Sequence, residues 1–289
     1  MKIDLRGVLF VVLLFAVAAG AQAPQERSAT VFGAKVRYIE AGDPSKPKVI
    51  LIHGLGSSTD AAWPLTIPAL SAEYHVIGID LIGFGKSDKP LINYRIDFYV
   101  DMLDKFMSET KIEKASVIGN SMGGWIAVNF ASKYPSRVEK LVLVASGGYA
   151  PPPGFDFGTL ALNMNPSTRE GIKAGMKALL YNSAPFMSDA AADNLLAARI
   201  AAGDGYTIQM LIKNAEFANE YFDERVKSIK NPTLIAWGKQ DGISPLVLAE
   251  RLNKDIAGSE LAVFDQAGHF PQVEKAAEFN KRVLEFLAK

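Results

Sequence analysis

The stretch that decides the fold is Val117-Ile118-Gly119-Asn120-Ser121-Met122-Gly123-Gly124. It closes the β-rich run Ala115–Asn120 and opens a helical pattern over Ser121–Tyr134. Its middle reads G-x-S-x-G. A strand that must turn at once into a helix forces its central residue into a strained backbone conformation, and small neighbours at Gly119 and Gly123 let such a turn close. The Ser121 hydroxyl then stands beyond the sheet edge, at the positive end of the following helix. The Met122 N–H points to the same place. That is the arrangement by which a hydroxyl attacks a carbonyl while a backbone amide holds the oxyanion. By itself the pattern also fits an ordinary glycine-rich helix start, so its surroundings must decide.

Outward from this turn, short apolar β-rich runs alternate with helical patterns. Thr30–Phe32 and Lys35–Glu40, split by Gly33-Ala34, predict an opening hairpin. Strands are expected at Val49–His53, Tyr74–Asp80, Ala115–Asn120, Leu141–Ser146, Thr233–Trp237 and Leu261–Phe264. Helices are expected near Ala61–Leu70, Tyr94–Thr110, Ser121–Tyr134, Pro245–Leu252 and Ala276–Leu287. Continuous apolar strands separated by helices imply an α/β protein, with a mostly parallel sheet covered on both faces and right-handed crossovers. From Gly147 to Lys230 the strands stop. Pro151-Pro152-Pro153-Gly154 begins this interruption, and Arg169–Tyr181, Asp189–Ala202 and Tyr206–Tyr221 have helical spacing. The expected organisation is a core over 24–147 and 231–289, with a helical insertion over 148–230. No internal repeat or low-complexity tract appears.

Three further loops follow expected strands. Ile52-His53-Gly54-Leu55-Gly56-Ser57-Ser58 is a glycine loop that can aim a second N–H at the site; Leu55 is the candidate donor, and His53 is read as bracing the loop. Ala267-Gly268-His269-Phe270-Pro271 offers an imidazole that can take the Ser121 proton and return it to a leaving group. Trp237-Gly238-Lys239-Gln240-Asp241-Gly242 offers a carboxylate to fix the ring's tautomer and support its charge, although Asp-Gly is also a turn pair. Asp265 competes with Asp241. It stands only a few residues from His269 and would struggle to reach the ring from the side opposite the serine, and the order Ser…Asp…His favours Asp241. His75 falls at the start of a strand, away from these loops, and reads as structural.

Composition narrows the field. The 289 residues are 49% hydrophobic and 21% charged, with 31 Lys+Arg against 31 Asp+Glu, which argues against disorder and against a general attraction for nucleic acid. Cysteine is absent, which excludes disulfides, thiolate metal sites and a cysteine nucleophile, and three histidines make a His-rich metal cage unexpected. No metal or organic cofactor is suggested, and the expected partner is a small-molecule substrate. Residues 1–23 carry a basic start, an apolar run from Gly7 to Ala19 and Ala21-Gln22-Ala23, which reads as a secretory signal peptide. The run is shorter than the ~20 residues that span a bilayer. Export to the periplasm or medium is expected, with an uncleaved membrane anchor as the alternative.

The quoted HGLG loop, GNSMGG elbow, GKQD loop and AGHF loop, in that order, resemble the α/β-hydrolase superfamily over essentially the whole chain after residue 23. Asp80-Leu81-Ile82-Gly83-Phe84-Gly85-Lys86-Ser87-Asp88 resembles that family's D-x-x-G-x-G-x-S loop. The resemblance implies an eight-stranded sheet, a Ser121–His269–Asp241 triad and a helical cap over the site. A narrower likeness, carried by Gly119–Tyr134 with Pro135-Ser136-Arg137, by Ala145-Ser146-Gly147-Gly148 and by Gly268-His269-Phe270-Pro271-Gln272, is to serine C–C hydrolases of meta-ring-fission products. There a cap arginine holds the substrate carboxylate. Leu195-Leu196-Ala197-Ala198-Arg199 resembles its context, so Arg199 and Phe270 become candidate substrate contacts; a solvated helix face is the other reading of Arg199. The glycine loop is HGLGSS rather than a longer run ending in proline, and Phe270 stands where that family has tryptophan.

The resulting expectation is an exported serine hydrolase of carboxylic esters. C–C hydrolysis of a vinylogous diketo acid and a non-catalytic ligand-binding protein are the alternatives. Phe157, Leu160, Leu162, Met164, Met176, Leu179, Leu180, Phe186 and Met210 of the insertion are apolar, and some are expected to line a pocket.

Overall fold

In the computed structural model, residues 24–215 and 219–289 are described. Residues 1–23, the expected signal peptide, lie outside the described residues. Eight strands form one sheet: β1 (Gln25–Val31), β2 (Ala34–Ala41), β3 (Lys48–Ile52), β4 (His75–Ile79), β5 (Ala115–Asn120), β6 (Val138–Val144), β7 (Thr233–Gly238) and β8 (Glu260–Phe264). Their order is β1-β2-β4-β3-β5-β6-β7-β8. The β1–β2 and β2–β4 pairs are antiparallel, and the other five pairs are parallel. The parallel strands point their C-terminal ends the same way, so the loops after β3, β5, β7 and β8 gather at one edge. In open α/β sheets ligands bind outside that edge.

Helices cover both faces. The core elements are α1 (Thr59–Ala62), α2 (Thr66–Leu70), α3 (Ile96–Glu109) and α4 (Met122–Lys133); the insertion holds α5 (Phe157–Met164), α6 (Arg169–Leu179), α7 (Asp189–Ala202) and α8 (Gly205–Ala215); α9 (Leu246–Asp255), α10 (Pro271–Glu274) and α11 (Ala276–Leu287) complete the chain. The central strands are apolar on both sides, as two-faced burial requires: every residue of β4, β5 and β7 is buried. Alternate residues feed two separate cores. Ile50, Ile52, Val117 and Ile235 pack with α3, α4 and α9. Val49, Leu51, Ile118 and Leu234 pack with α2 and α11.

Two expected elements differ, and one element was not expected. The helix read over Ala61–Leu70 is two short helices, broken at Trp63–Leu65, because Pro64 cannot donate to the turn before it. Within the pattern over Tyr206–Tyr221 a helix covers Gly205–Ala215, and residues 219–222 are not helical. The insertion also contains α5, whose apolar residues were noted without being read as a helix. Between β6 and β7 the described residues form helices and no strand.

Candidate active site

At the end of β5, Ser121 has φ 56° and ψ −117°, a left-handed conformation that a residue with a side chain adopts only under constraint. Such strain costs on the order of 1–3 kcal/mol and is held by its surroundings. Two glycines make the turn possible. A Cβ on Gly119 would lie 2.2 Å from the Gly123 carbonyl oxygen, and one on Gly123 would lie 2.3 Å from the Ile52 oxygen. Strand, elbow and the β3 loop therefore touch backbone to backbone. Ser121 N–H donates to Val144 O at 2.9 Å, which ties the elbow to β6. Among the described residues the amides of Leu55 and Met122 donate no hydrogen bond, and both residues line the same cavity as Ser121.

His269 is buried after β8, and its Nδ1 pairs with Asp241 Oδ2 at 2.8 Å. The other carboxylate oxygen, Asp241 Oδ1, accepts from the Ile243 and Ser244 amides at 2.8 and 2.9 Å. Four contacts thus fix the pair: two amides on the carboxylate, the imidazole, and the His269 N–H on Leu179 O at 2.7 Å. A carboxylate on Nδ1 keeps a proton there and presents Nε2 outward as the base. Neither Ser121 Oγ nor His269 Nε2 has a hydrogen-bond partner among the described residues. Asn120 links the two loops, its Nδ2 donating to Val144 O at 3.2 Å and His269 O at 3.3 Å. Asp265, the competitor, sits on the surface; Gln240 and Lys239 hold its carboxyl below the usual range, the Gln240 hydrogen bond most strongly.

His53 is the counterpart in the β3 loop. Its Nδ1 donates to Gly54 O at 2.8 Å, and its Nε2 accepts from Leu81 N–H at 3.1 Å. Burial pushes this imidazole below its ordinary pKa, so the neutral ring is favoured. His53 braces the loop, as the sequence suggested. The Gly54 carbonyl and the Leu55 N–H share one planar peptide, so fixing one aims the other. His75, the first residue of β4 at the sheet edge opposite these loops, pairs with Glu40 at 2.8 Å.

The cavity above Ser121 has a volume of about 550 Å³. Leu55, Met122, Trp125, Phe155, Phe157 and Leu160 give it an apolar wall. Met164 also lines it, whereas Leu162 is exposed. Two guanidiniums reach the wall, and each already faces a carboxylate: Arg95 pairs with Glu220 at 2.6 Å and Arg251 with Asp223 at 2.7 Å. Neither pair was singled out in the sequence, because each joins segments far apart in the chain. Phe270 is half-buried beside His269, with ring centroids 5.4 Å apart, and is not on the cavity wall. Arg199 is not on that wall either. It is half-buried rather than solvated: its Nη1 donates to Gly56 O at 2.9 Å, and its Nη2 is paired with Asp204. No group of metal-ligating side chains occurs among the described residues, and no helix there is long and apolar enough to cross a membrane.

A family described as alpha/beta hydrolase fold matches residues 47–276. The chain belongs to that family. The chain is 34% identical over 254 residues to the 2-hydroxy-6-oxononadienedioate/2-hydroxy-6-oxononatrienedioate hydrolase of Cupriavidus pinatubonensis, covering 83% of this chain and 86% of the relative. It is 30% identical to the dihydrolipoyllysine-residue acetyltransferase component of the acetoin cleaving system of Pseudomonas putida, covering 93% and 71%. Among solved structures it is similar to the meta-cleavage product hydrolase of Pseudomonas fluorescens IP01, with TM-score 0.80, 32% identity and coverage of 91% and 97%. The narrower likeness read from the elbow and the His269 loop therefore extends along the alpha/beta hydrolase chain.

Proposed function

We propose that this alpha/beta hydrolase is a serine hydrolase that cleaves the C–C bond of a vinylogous diketo acid of the ring-fission type. The observation that carries the serine chemistry is the buried His269–Asp241 pair at 2.8 Å, on the sheet edge where Ser121 stands in its strained elbow. The substrate class rests on the C–C hydrolases at 34% and 32% identity. In this reading His269 Nε2 takes the Ser121 Oγ proton, and Oγ bonds to the ketone carbon. The Leu55 and Met122 amides hold the oxyanion. Its collapse breaks the C–C bond, the electron pair passes into the conjugated enolate, and the imidazolium returns the proton to carbon. Water, activated by His269, then releases the acid from the acyl-enzyme. Arg199 and Phe270 belong to this proposal as residues around the site, and the helical insertion as its cap. Export rests on residues 1–23 alone.

A second reading, hydrolysis of carboxylic esters, is favoured by the cavity itself. Its wall is apolar, and both of its guanidiniums are already paired. The two readings separate in one assay. The purified protein is given 2-hydroxy-6-oxo-6-phenylhexa-2,4-dienoate, followed by loss of dienolate absorbance, and 4-nitrophenyl butyrate, with Ser121→Ala as control. A larger kcat/KM on the dienoate is expected. The opposite ranking supports the ester reading. Turnover unchanged in Ser121→Ala removes both, and tight binding without turnover supports a binding protein.

A further inference from the structure

The glycine loop after β3 is held from inside the core and from the insertion. Gly54 O accepts from His53, on the inner side of Leu55. Gly56 O accepts from Arg199 Nη1 at 2.9 Å, on the outer side. Further along, Thr59 N–H donates to the buried Asp80 Oδ1 at 2.8 Å. Gly56 has φ +66°, and a Cβ there would lie 3.1 Å from Arg199 Nη1 and 3.3 Å from Ile208 Cδ1. The loop is thus packed against both α7 and α8.

The arginine is placed by its own helix end. Arg199 lies in the last turn of α7, which Gly203 closes in the left-handed region at φ 62°. That turn brings Asp204 back onto the guanidinium, where its side chain is 1% exposed against 14% for Arg199. A buried carboxylate needs a paired cation, and Asp204 has one in Arg199. The cation is therefore occupied on one side by Asp204 and on the other by a loop carbonyl, and it stands outside the cavity wall.

We propose that Arg199, held by Asp204, is a clasp that positions the oxyanion loop from the cap, fixing the Gly56 carbonyl so that the Leu55 N–H stays aimed at the Ser121 site. Arg199 is then a positioning residue, and its action does not depend on a substrate carboxylate. The clasp rests on the serine-hydrolase reading for its catalytic consequence but not for its structural one. A loosened donor costs less than a deleted one, which costs about 10²–10³ in kcat. The expected loss is on the order of 10-fold in kcat.

The test uses the full protein, Arg199→Ala, Asp204→Asn and Arg199→Lys, with two readouts. On the neutral 4-nitrophenyl butyrate, Arg199→Ala and Asp204→Asn lower kcat with KM little changed, and Arg199→Lys recovers much of the loss. Hydrogen exchange of the peptide covering residues 54–63, where the Thr59, Ala61, Ala62 and Trp63 amides are hydrogen-bonded, speeds up in the first two variants, while the strands β5 and β6 keep their protection. A loss confined to KM for the carboxylate-bearing dienoate, with exchange over 54–63 unchanged, overturns the clasp and makes Arg199 a substrate anchor. Unchanged kinetics and exchange overturn it as well. Faster exchange in a protein whose wild type turns over neither substrate leaves the clasp standing and removes the serine-hydrolase reading. Should Arg199→Ala not fold, the exchange of Arg199→Lys and Asp204→Asn decides the question.

Discussion

Two of the three histidines are buried in loops at the C-terminal ends of parallel strands, and their surroundings commit them to opposite uses. His53, after β3, spends both ring nitrogens on backbone: one donates to Gly54 O, the other accepts from Leu81 N–H. His269, after β8, spends one nitrogen on Asp241 and leaves the other without a partner among the described residues. A ring with no free nitrogen can brace but cannot move a proton. A ring with a carboxylate on Nδ1 and an open Nε2 is prepared to accept one. The lesson is that position at a strand's end does not assign a role; the partners of the two nitrogens do.

The contrast breaks most sharply at the reacting pair. Ser121→Ala and His269→Ala are each expected to lower turnover of the preferred substrate by at least about 10⁴-fold, since members of such a unit fail together. Urea unfolding of the same variants should stay near wild type, which separates chemistry from folding. Next comes the choice between two aspartates. Asp241→Asn is expected to cost about 10⁴-fold in kcat by disturbing the imidazole tautomer, whereas Asp265→Asn, altering a surface carboxylate, should stay within about 2-fold. Equal losses in the two variants would contradict the assignment of Asp241.

A third prediction tests what lets the elbow exist. Gly119→Ala forces a Cβ to within 2.2 Å of the Gly123 carbonyl oxygen, and the next nearest atoms, Gly123 C and Gly124 N, are also backbone. Overpacking of this kind costs about 1–3 kcal/mol or more, read as a lowered urea midpoint, with loss of activity in the folded fraction. Wild-type stability in this variant would mean that the close approach is not real.

The smallest effect concerns His53 and pH. Burial holds its pKa below the ordinary value. Below about pH 6.5 the unfolded chain therefore binds a proton that the folded chain does not, so this ring's contribution to stability is complete above that pH and declines as the medium is acidified. His53→Gln removes the titration. Between pH 7.5 and 5, its urea midpoint should fall less than that of wild type. An equal or larger fall would show that the ring is not held neutral.

Most of this arrangement was legible in the sequence for identifiable reasons. The central strands are short continuous apolar runs, which buried parallel strands require, and each candidate loop followed one of them. The elbow announced itself through glycines whose need is steric. Other features were hidden or misread. Pro64 was visible and divides the helix expected over Ala61–Leu70. The pairing that half-covers Arg199 was not visible, because it depends on Gly203 turning Asp204 back onto it, and a helix-face reading does not contain that fold-back. The acid–base pairs on the cavity wall, Arg95–Glu220 and Arg251–Asp223, join residues distant in sequence and leave no local pattern. Chemistry of the substrate was the least legible: the expectation of esters came from general features of the fold, and the C–C reading proposed above rests on similarity to meta-cleavage product hydrolases.

The most direct measurement is covalent labelling of the serine with a fluorophosphonate, read by intact mass and peptide mapping across wild type, His269→Ala and Ser121→Ala. The expected result is a single adduct on Ser121 in wild type, formed rapidly, slowed by orders of magnitude without the imidazole and absent without the hydroxyl. An adduct on another residue, or labelling of Ser121 at the same rate with and without His269, would contradict the account.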